Sequence, residues 1–171
     1  MQVKMGGAPM NLVGTLPAVG GASPKFTVVA GDLSAIASSD IKGKRVFITV
    51  PSIDTPVCDT EVRRFNKEAA ALGDVSINVI SMDLPFAQAR WCGAAGIDAV
   101  KLYSDYKDKS FGEAFGVLIN ELGLLARAIF IVDEKDTVRY VQLVEEVTSE
   151  PNYVTSADLS ADVTSVMGGT L

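Results

Sequence analysis

The chain has 171 residues, of which 48% are hydrophobic and 21% charged, and these proportions are typical of a globular protein. They exclude a disordered chain and a disulfide-dense miniprotein, and we expect a single domain spanning residues 1–171. The net charge of −6 argues against a nucleic-acid partner or an anionic membrane surface, and the absence of histidine excludes Ser-His-Asp and Cys-His catalysis.

The N-terminal segment predicts a short hairpin. The first 24 residues are rich in glycine and proline, with Leu12, Val13 and Leu16 between turn signals, which predicts a β-hairpin and an extended segment. They lack the apolar stretch of a secretory signal, and no strongly apolar run approaches the ~20 residues that span a bilayer. We therefore expect a cytoplasmic protein without membrane contact, whose two cysteines are reactive, metal-bound or buried rather than permanently joined.

Two strands are predicted before the first long helix. Phe26 to Ala30 predicts a strand, residues 38–44 a polar loop, and Val46 to Val50 a strand covered on both faces of its sheet. From Asp59 the apolar residues recur at intervals of three and four, as on one face of a helix, and Gly73 ends the pattern. The apolar positions of this helix are Val62, Phe65, Ala69 and Leu72.

The remaining segments complete an α/β pattern. They predict a strand at Val75–Met82, a short helix at Pro85–Cys92 that stops near Gly93, a shorter helix at Phe111–Phe115, strands at Ala128–Val132 and Val138–Val144, and a last helix from Thr155. This order of elements predicts a thioredoxin-like fold, with a central mixed sheet flanked by helices and the N-terminal β-hairpin added to it.

Cys58 lies where the backbone favours a thiolate. Thr55 is a good N-cap and Pro56 fits the first helical position, so Cys58 falls in the first turn of the helix. Free backbone N–H groups and the positive end of the helix dipole converge there. Because there is no histidine, activation of the sulfur must come from the helix end and a cation. The alternative is a small buried side chain in a well-capped helix.

Other candidate residues have both functional and structural interpretations. Cys92 lies 34 positions after Cys58, so the two do not form a Cys-x-x-Cys motif, and Cys92 is either an inert core residue or a second redox residue. On pattern alone, Arg127 is a surface or strand-end arginine. Asp59 and Glu61 are interpreted as first-turn residues that complement the helix dipole, rather than as an acid/base pair. Met82 and Trp91 are interpreted as core or pocket residues.

The segment Pro51-Ser52-Ile53-Asp54-Thr55-Pro56-Val57-Cys58 resembles the peroxiredoxins, and most closely their bacterial thiol peroxidase branch. The resemblance extends over nearly the whole chain. Its other matching blocks are Gly14–Pro17, Asp83–Ala87, Arg90–Gly93, Ser104–Asp105, Phe111–Gly112 and Leu124–Ala128. Trp91 departs from the branch, which more often has phenylalanine there.

The resemblance implies a hydroperoxide reductase without a metal or organic cofactor. Cys58 would attack the peroxide and become a sulfenic acid, and Cys92 would resolve it as an intramolecular disulfide. Thr55 and Arg127 would hold the peroxide, and Pro51 would shield the sulfur. Thioredoxin would reduce the disulfide, and the chain would form a homodimer.

Disulfide formation implies movement. A disulfide requires Cα atoms within about 7 Å, and cysteines on separate helices rarely lie so close. We therefore predict that the first turn around Cys58 unwinds and that the segment of Cys92 shifts on oxidation. We also expect Cys92 to stay mostly protonated until Cys58 is oxidised, because it lies late in its helix.

Two other classes of function remain as alternatives. The first is a redox-regulated binding protein or chaperone whose disulfide only changes a surface. The second is an exported domain with a structural disulfide, against which the lack of a signal segment argues. Catalytic consumption of peroxide, as opposed to one stoichiometric oxidation, separates an enzyme from both.

Overall fold

A computed structural model of the chain describes residues 1–70 and 74–152. The strands of these residues are β1 (Gln2–Met5), β2 (Ala8–Val13), β3 (Thr27–Val29), β4 (Ala35–Ala37), β5 (Arg45–Thr49), β6 (Ser76–Ser81), β7 (Lys101–Ser104), β8 (Leu118–Ile119), β9 (Leu124–Leu125), β10 (Ala128–Val132) and β11 (Val138–Leu143). The helices are α1 (Pro56–Ala70), α2 (Pro85–Ala95) and α3 (Ser110–Ala114), and a single 3₁₀ turn covers Ser38–Asp40.

The central sheet is mixed, as the order of elements predicts. Its strands lie in the order β11-β10-β5-β6-β7-β3-β4. The pairs β5–β6 and β6–β7 are parallel, and the other neighbours in the sheet are antiparallel. The thioredoxin-like α/β fold is thereby confirmed.

Both faces of β5 are covered, which explains its continuous apolar sequence. Val46 and Ile48 share one buried cluster with Val62 and Phe65 of α1. Phe47 points to the opposite face, where it packs among the aromatic rings of a second cluster. These rings are Phe26, Phe111, Phe115 and Phe130, and the closest pair, Phe111 and Phe115, is stacked with centroids 4.1 Å apart.

The predicted N-terminal hairpin is formed by β1 and β2. Its turn is made by Gly6 and Gly7, both with positive φ, which glycine adopts without strain. The hairpin continues into a second, four-stranded sheet of order β1-β2-β8-β9. β8 and β9, of two residues each, are too short to show a period in the sequence.

The predicted end of α2 was wrong. The helix passes through Gly93 and ends at Ala95, and Gly96 closes it in the left-handed conformation with φ of 68°. A glycine within a helix costs only about 1 kcal/mol, which packing of the helix offsets, whereas the left-handed C-cap position favours glycine strongly. Cys92 therefore lies in the last turn of α2, where its carbonyl oxygen accepts the N–H of Gly96.

Several short elements were not predicted. β7 was not predicted because its four residues form a strand through pairing with β6, which lies about 20 positions earlier in the sequence. Within the predicted loop 38–44, the chain forms the 3₁₀ turn, and β4 pairs with β3 just before it. α3 begins at Ser110, one residue earlier than predicted. The stop at Gly73 and the helix from Thr155 lie outside the described residues.

No helix within the described ranges combines the length and the apolar character needed to cross a membrane.

Candidate active site

The sheet topology brings the candidate residues to one edge. The carboxyl ends of the parallel strands β5 and β6 lie side by side, and they lead into the segments that precede α1 and α2. β10 runs antiparallel to β5, and its first residue, Ala128, pairs with Thr49 at the end of β5. Arg127 therefore lies beside the segment that carries Cys58, although the two are 69 positions apart.

Cys58 lies in the first turn of α1, behind an N-cap. The Thr55 hydroxyl oxygen accepts the N–H of Cys58 at 3.4 Å, and the Thr55 carbonyl accepts the N–H of Asp59 at 2.9 Å. Cys58 is fully buried, and the Arg127 Nη2 group donates to its Sγ at 3.2 Å. The sulfur thus faces a cation at the end of the helix where negative charge is stabilised.

Arg127 directly precedes β10, so its interpretation as a strand-end arginine is confirmed, whereas its burial shows that the surface alternative was wrong. Its side chain is clamped by two acceptors besides Cys58: Nε donates to the Val147 carbonyl at 3.0 Å and Nη1 to Glu61 Oε2 at 2.5 Å. Burial disfavours the charged guanidinium, but the adjacent Glu61 and Cys58 outweigh burial and raise the pKa of Arg127. The group stays charged and fixed in orientation.

The N-terminal hairpin supports this clamp. The Lys4 N–H donates to the Glu145 carbonyl at 2.7 Å, and the Lys4 carbonyl accepts the Val147 N–H at 2.9 Å. The Glu146 carboxylate accepts the N–H groups of Gly6 and Gly7 at the hairpin turn. Because Val147 holds Arg127 by its carbonyl, the hairpin contributes to the position of the cation.

Glu61 is the site residue that sequence reasoning missed. It is fully buried and lies beyond the first turn of α1, in which Asp59 is the acidic residue, so its interpretation as a first-turn residue that complements the helix dipole was wrong. Burial raises its pKa to about 7, although the Arg127 guanidinium opposes the shift. Its Oε1 has no hydrogen-bond partner among the described residues. The spacing 58, 61 and 65, which places Glu61 on the face of Cys58 and Phe65, is the sequence signal that could have identified it.

The segment that precedes α1 is hydrogen-bonded to Asp83, which lies between β6 and α2, the helix that carries Cys92. The Asp83 carboxylate accepts hydrogen bonds from the Ser52 hydroxyl at 2.7 Å, the Ile53 N–H at 2.9 Å and the Ser81 hydroxyl at 2.6 Å. Pro51 is buried, and in the sequence it lies between the end of β5 and Ser52. The position of Cys58 therefore depends on Asp83, which belongs to the segment between β6 and α2.

The Thr55 hydroxyl does not donate to Cys58 here. Its proton is directed to the Ser52 carbonyl oxygen at 3.2 Å, while its oxygen accepts the Cys58 N–H. The hydroxyl would have to rotate to donate to a ligand oxygen. Such a rotation leaves the cap intact, because the acceptor lone pairs are separate from the proton.

Cys92 and Cys58 are both free thiols, and Cys92 is partly buried. Burial raises the pKa of Cys92, in the direction that keeps the thiol protonated. Its neighbour Trp91 is half-buried and packs against the cluster that contains Cys58, in keeping with the interpretation as a core or pocket residue. Trp91 also donates its indole N–H to Asp59 at 2.7 Å.

The arrangement suits a sulfur nucleophile that reacts with an electrophilic oxygen. Arg127 supplies a fixed positive charge beside the sulfur, and Cys58 lies at the N-terminal end of α1, which is the positive end of the helix dipole. Within the described part of the chain, no group of three or more His, Cys, Asp or Glu side chains is placed to hold a metal ion.

Comparison with known proteins gives consistent relatives. The model of the Redoxin family matches residues 18–157. A thiol peroxidase of Bacillus subtilis is 55% identical over 153 residues, which cover 89% of this chain and 92% of that protein. A thiol peroxidase of Clostridium acetobutylicum is 50% identical over 90% of this chain and 93% of that protein.

Solved structures agree with these sequence relatives. A peroxiredoxin-like protein from Aquifex aeolicus superposes with a TM-score of 0.83 and 46% identity, over 89% of this chain and 91% of that one. A thiol peroxidase from Chromobacterium violaceum superposes with a TM-score of 0.82, over 98% of this chain and 94% of that one. At 20% identity, this second likeness concerns the fold alone.

Proposed function

This chain belongs to the Redoxin family, in its thiol peroxidase branch, and from that premise we propose that it reduces hydroperoxides with the sulfur of Cys58. It is a peroxidase of the peroxiredoxin type. The observation that carries the assignment of Cys58 is the contact of 3.2 Å between its Sγ and the buried guanidinium of Arg127.

In the first step, the Cys58 thiolate attacks the terminal oxygen of the peroxide. An S–O bond forms while the O–O bond breaks, and the leaving oxygen takes a proton to become an alcohol, or water when the substrate is hydrogen peroxide. Arg127 and the Thr55 hydroxyl stabilise the charge that develops on the two oxygens, since fixed donors are most effective in a site without water. Pro51 shields the sulfur from solvent.

In the second step, Cys92 resolves the sulfenic acid of Cys58. The Cys92 sulfur attacks the Cys58 sulfur, an S–S bond forms, and the S–O bond breaks as hydroxide leaves with a proton as water. A dithiol reductant, thioredoxin, then regenerates both thiols. The raised pKa of Cys92 is consistent with a residue that reacts second. Both hydrogen peroxide and organic hydroperoxides are proposed as substrates.

The proposed setting is the cytoplasm, because a dithiol reductant works in a reducing compartment. A homodimer is proposed as the working assembly. Its support is the exposure of three apolar side chains, Leu84, Phe86 and Tyr106, which follow the carboxyl ends of the neighbouring parallel strands β6 and β7. The segments that carry these residues are joined by the hydrogen bond from the Ser104 hydroxyl to the Asp83 carbonyl.

Serine variants of the two cysteines test the proposal. Cys58→Ser is expected to abolish peroxide consumption because the hydroxyl is a far weaker nucleophile, while folding persists. Cys92→Ser is expected to consume one equivalent of peroxide and then stall with thioredoxin. The measurements are NADPH consumption coupled to thioredoxin and mass spectrometry after one equivalent of peroxide.

Wild-type protein treated in this way should contain a crosslinked pair of peptides with Cys58 and Cys92. Sustained turnover by Cys58→Ser would refute the assignment of the nucleophile. A single stoichiometric oxidation of the wild type, without turnover, would favour a redox-regulated binding protein instead.

A further inference from the structure

Three side chains join the helices of the two cysteines. The indole N–H of Trp91 on α2 donates to Asp59 Oδ1 on α1 at 2.7 Å. Arg63 Nε donates to the other oxygen of Asp59 at 2.8 Å, and the Arg63 guanidinium lies 5.6 Å from the centre of the Trp91 ring. We call Asp59, Arg63 and Trp91 the latch.

The latch is adjacent in sequence to both reacting sulfurs. Asp59 directly follows Cys58, and Trp91 directly precedes Cys92. Arg63 also donates to the Ala95 carbonyl at the end of α2, at 3.4 Å, so the latch extends along the last turn of that helix. The hydrogen bond from Arg63 lowers the pKa of Asp59, which therefore remains a charged acceptor at neutral pH.

The latch belongs to the state in which α1 is fully folded. In that state Cys58 is buried, its N–H is capped by Thr55, and its sulfur faces Arg127. Because Cys58 is fully buried against Arg127, we expect Cys92 to reach it only when the first turn of α1 opens or the end of α2 moves. Either movement displaces Asp59 relative to Trp91, and a hydrogen bond of 2.7 Å does not survive such a displacement.

We propose that Asp59, Arg63 and Trp91 are positioning residues that set the rate at which Cys92 resolves the oxidised Cys58. This inference rests on the proposed function. The latch stabilises the folded state but not the open one, so it lowers the population of the open state from which the disulfide forms.

A slower resolution has a chemical consequence. Before Cys92 reacts with the sulfenic acid, a second peroxide can transfer one oxygen to it, giving a sulfinic acid and water or alcohol. That product is not ordinarily recovered. The latch therefore also sets the peroxide concentration at which the enzyme inactivates itself.

Two variants test the latch. Trp91→Phe keeps an aromatic ring but removes the N–H donor, and Asp59→Asn removes the charge that pairs with Arg63. Both are expected to form the Cys58–Cys92 disulfide about fivefold faster than the wild type, the factor that corresponds to one net hydrogen bond of about 1 kcal/mol. The peroxide concentration that converts half of Cys58 to sulfinic acid should rise by a similar factor.

The measurements use reduced full-length protein. Rapid quenching with a thiol-alkylating reagent, followed by mass spectrometry, counts disulfide, sulfenic and sulfinic forms over time. The rate constant of the first oxidation should stay within about twofold of the wild type, which a general loss of structure would not allow. Trp91 is the single tryptophan of the chain, so its fluorescence should change with the same rate constant as disulfide formation in the wild type.

Matched controls separate the latch from other effects. Asp98→Asn, an exposed change just beyond α2, should leave every rate unchanged. In a Cys92→Ser background, Trp91→Phe should not alter the peroxide concentration for sulfinic acid formation, because no resolution competes there.

The outcomes distinguish this proposal from the one on which it rests. Unchanged or slower disulfide formation in both variants would overturn the latch while leaving the proposed function intact. Unchanged tryptophan fluorescence on oxidation of the wild type would also overturn it. If the wild type itself forms no Cys58–Cys92 disulfide, the resolution step of the proposed function fails, and the latch with it.

Discussion

Arg127 contacts two acidic groups at the site with one positive charge. Its Nη2 group faces Cys58 and its Nη1 group faces Glu61, and all three side chains are buried. A single guanidinium cannot compensate two buried anions fully, and an uncompensated buried charge is costly. Glu61 therefore favours its protonated form when Cys58 is a thiolate, in keeping with its raised pKa.

Because of Glu61, the free energy of unfolding should decrease as pH rises. Its pKa is about 7 in the folded chain against an ordinary 4.5, so the folded state keeps a proton that the unfolded state loses between these values. The stabilisation is complete below about pH 4.5 and is lost as pH rises through 7. At about 1.4 kcal/mol for each pKa unit, the loss is on the order of 3 kcal/mol.

Glu61→Gln should remove this slope, because an amide does not titrate. The measurement is urea unfolding at pH 4.5, 6 and 7.5. As pH rises, the free energy of unfolding of the variant should increase relative to that of the wild type. Glu134→Gln, at an exposed position, is the control and should show no such trend. A constant difference between Glu61→Gln and the wild type across this range would contradict the assignment.

At the scale of elements, the N-terminal segment depends on two glycines for its approach to α3. A Cβ on Gly14 would lie 2.3 Å from the Glu113 carbonyl oxygen, and one on Gly116 would lie 2.4 Å from the Thr15 carbonyl carbon. Both glycines have positive φ. The segment after β2 thus packs backbone against backbone at the end of α3, where no side chain fits.

Gly116→Ala should destabilise the chain by roughly 2–4 kcal/mol. Positive φ costs a non-glycine residue about 1–2 kcal/mol, and the contact with Thr15 and Leu16 adds a displacement of backbone. Urea unfolding measures the change. Gly123→Ala is a matched control, because Gly123 has φ of 64° but open space at its Cβ. An equal loss in both variants would show that the close approach contributes nothing.

At the scale of the whole molecule, the sheet edge that carries the candidate site also carries exposed apolar side chains, in the segments that follow β6 and β7. Phe86 and Leu84 flank Pro85 at the start of α2, and they are 66% and 51% exposed. Large apolar side chains exposed together often mark an interface. An interface here would lie beside Asp83, whose carboxylate anchors the segment before Cys58.

Phe86→Glu should convert a dimer into monomers. In sedimentation at micromolar concentration, the wild type is expected at twice the chain mass of 18.0 kDa and the variant near one chain mass. The reason is that a buried, unpaired carboxylate costs several kcal/mol at an interface. Leu122→Glu, an exposed apolar position in another turn, should leave the dimer intact. A monomeric wild type, or a dimeric Phe86→Glu variant, would be the contrary result.

Local signals predicted the parts of the molecule that depend on neighbouring residues. The Thr55 cap, Pro56 at the first helical position and the amphipathic face of α1 place Cys58 in a helix's first turn without reference to other segments. The bounds of β10 were predicted to the residue, because its apolar run is continuous and ends at a turn. The role of Cys92 as the resolving cysteine stays a prediction that came from the resemblance.

What the sequence determined is thus the local conformation around Cys58, because capping and periodicity act over a few neighbouring residues. The tertiary structure alone decided the burial of Glu61, the clamp on Arg127 by Val147, and the anchoring of the segment before Cys58 by Asp83. Those features join residues at least 20 positions apart, and Glu61 and Arg127 have residue types that are usually exposed. They appear only when antiparallel pairing of β5 with β10 and parallel pairing of β5 with β6 bring distant segments to one edge of the sheet.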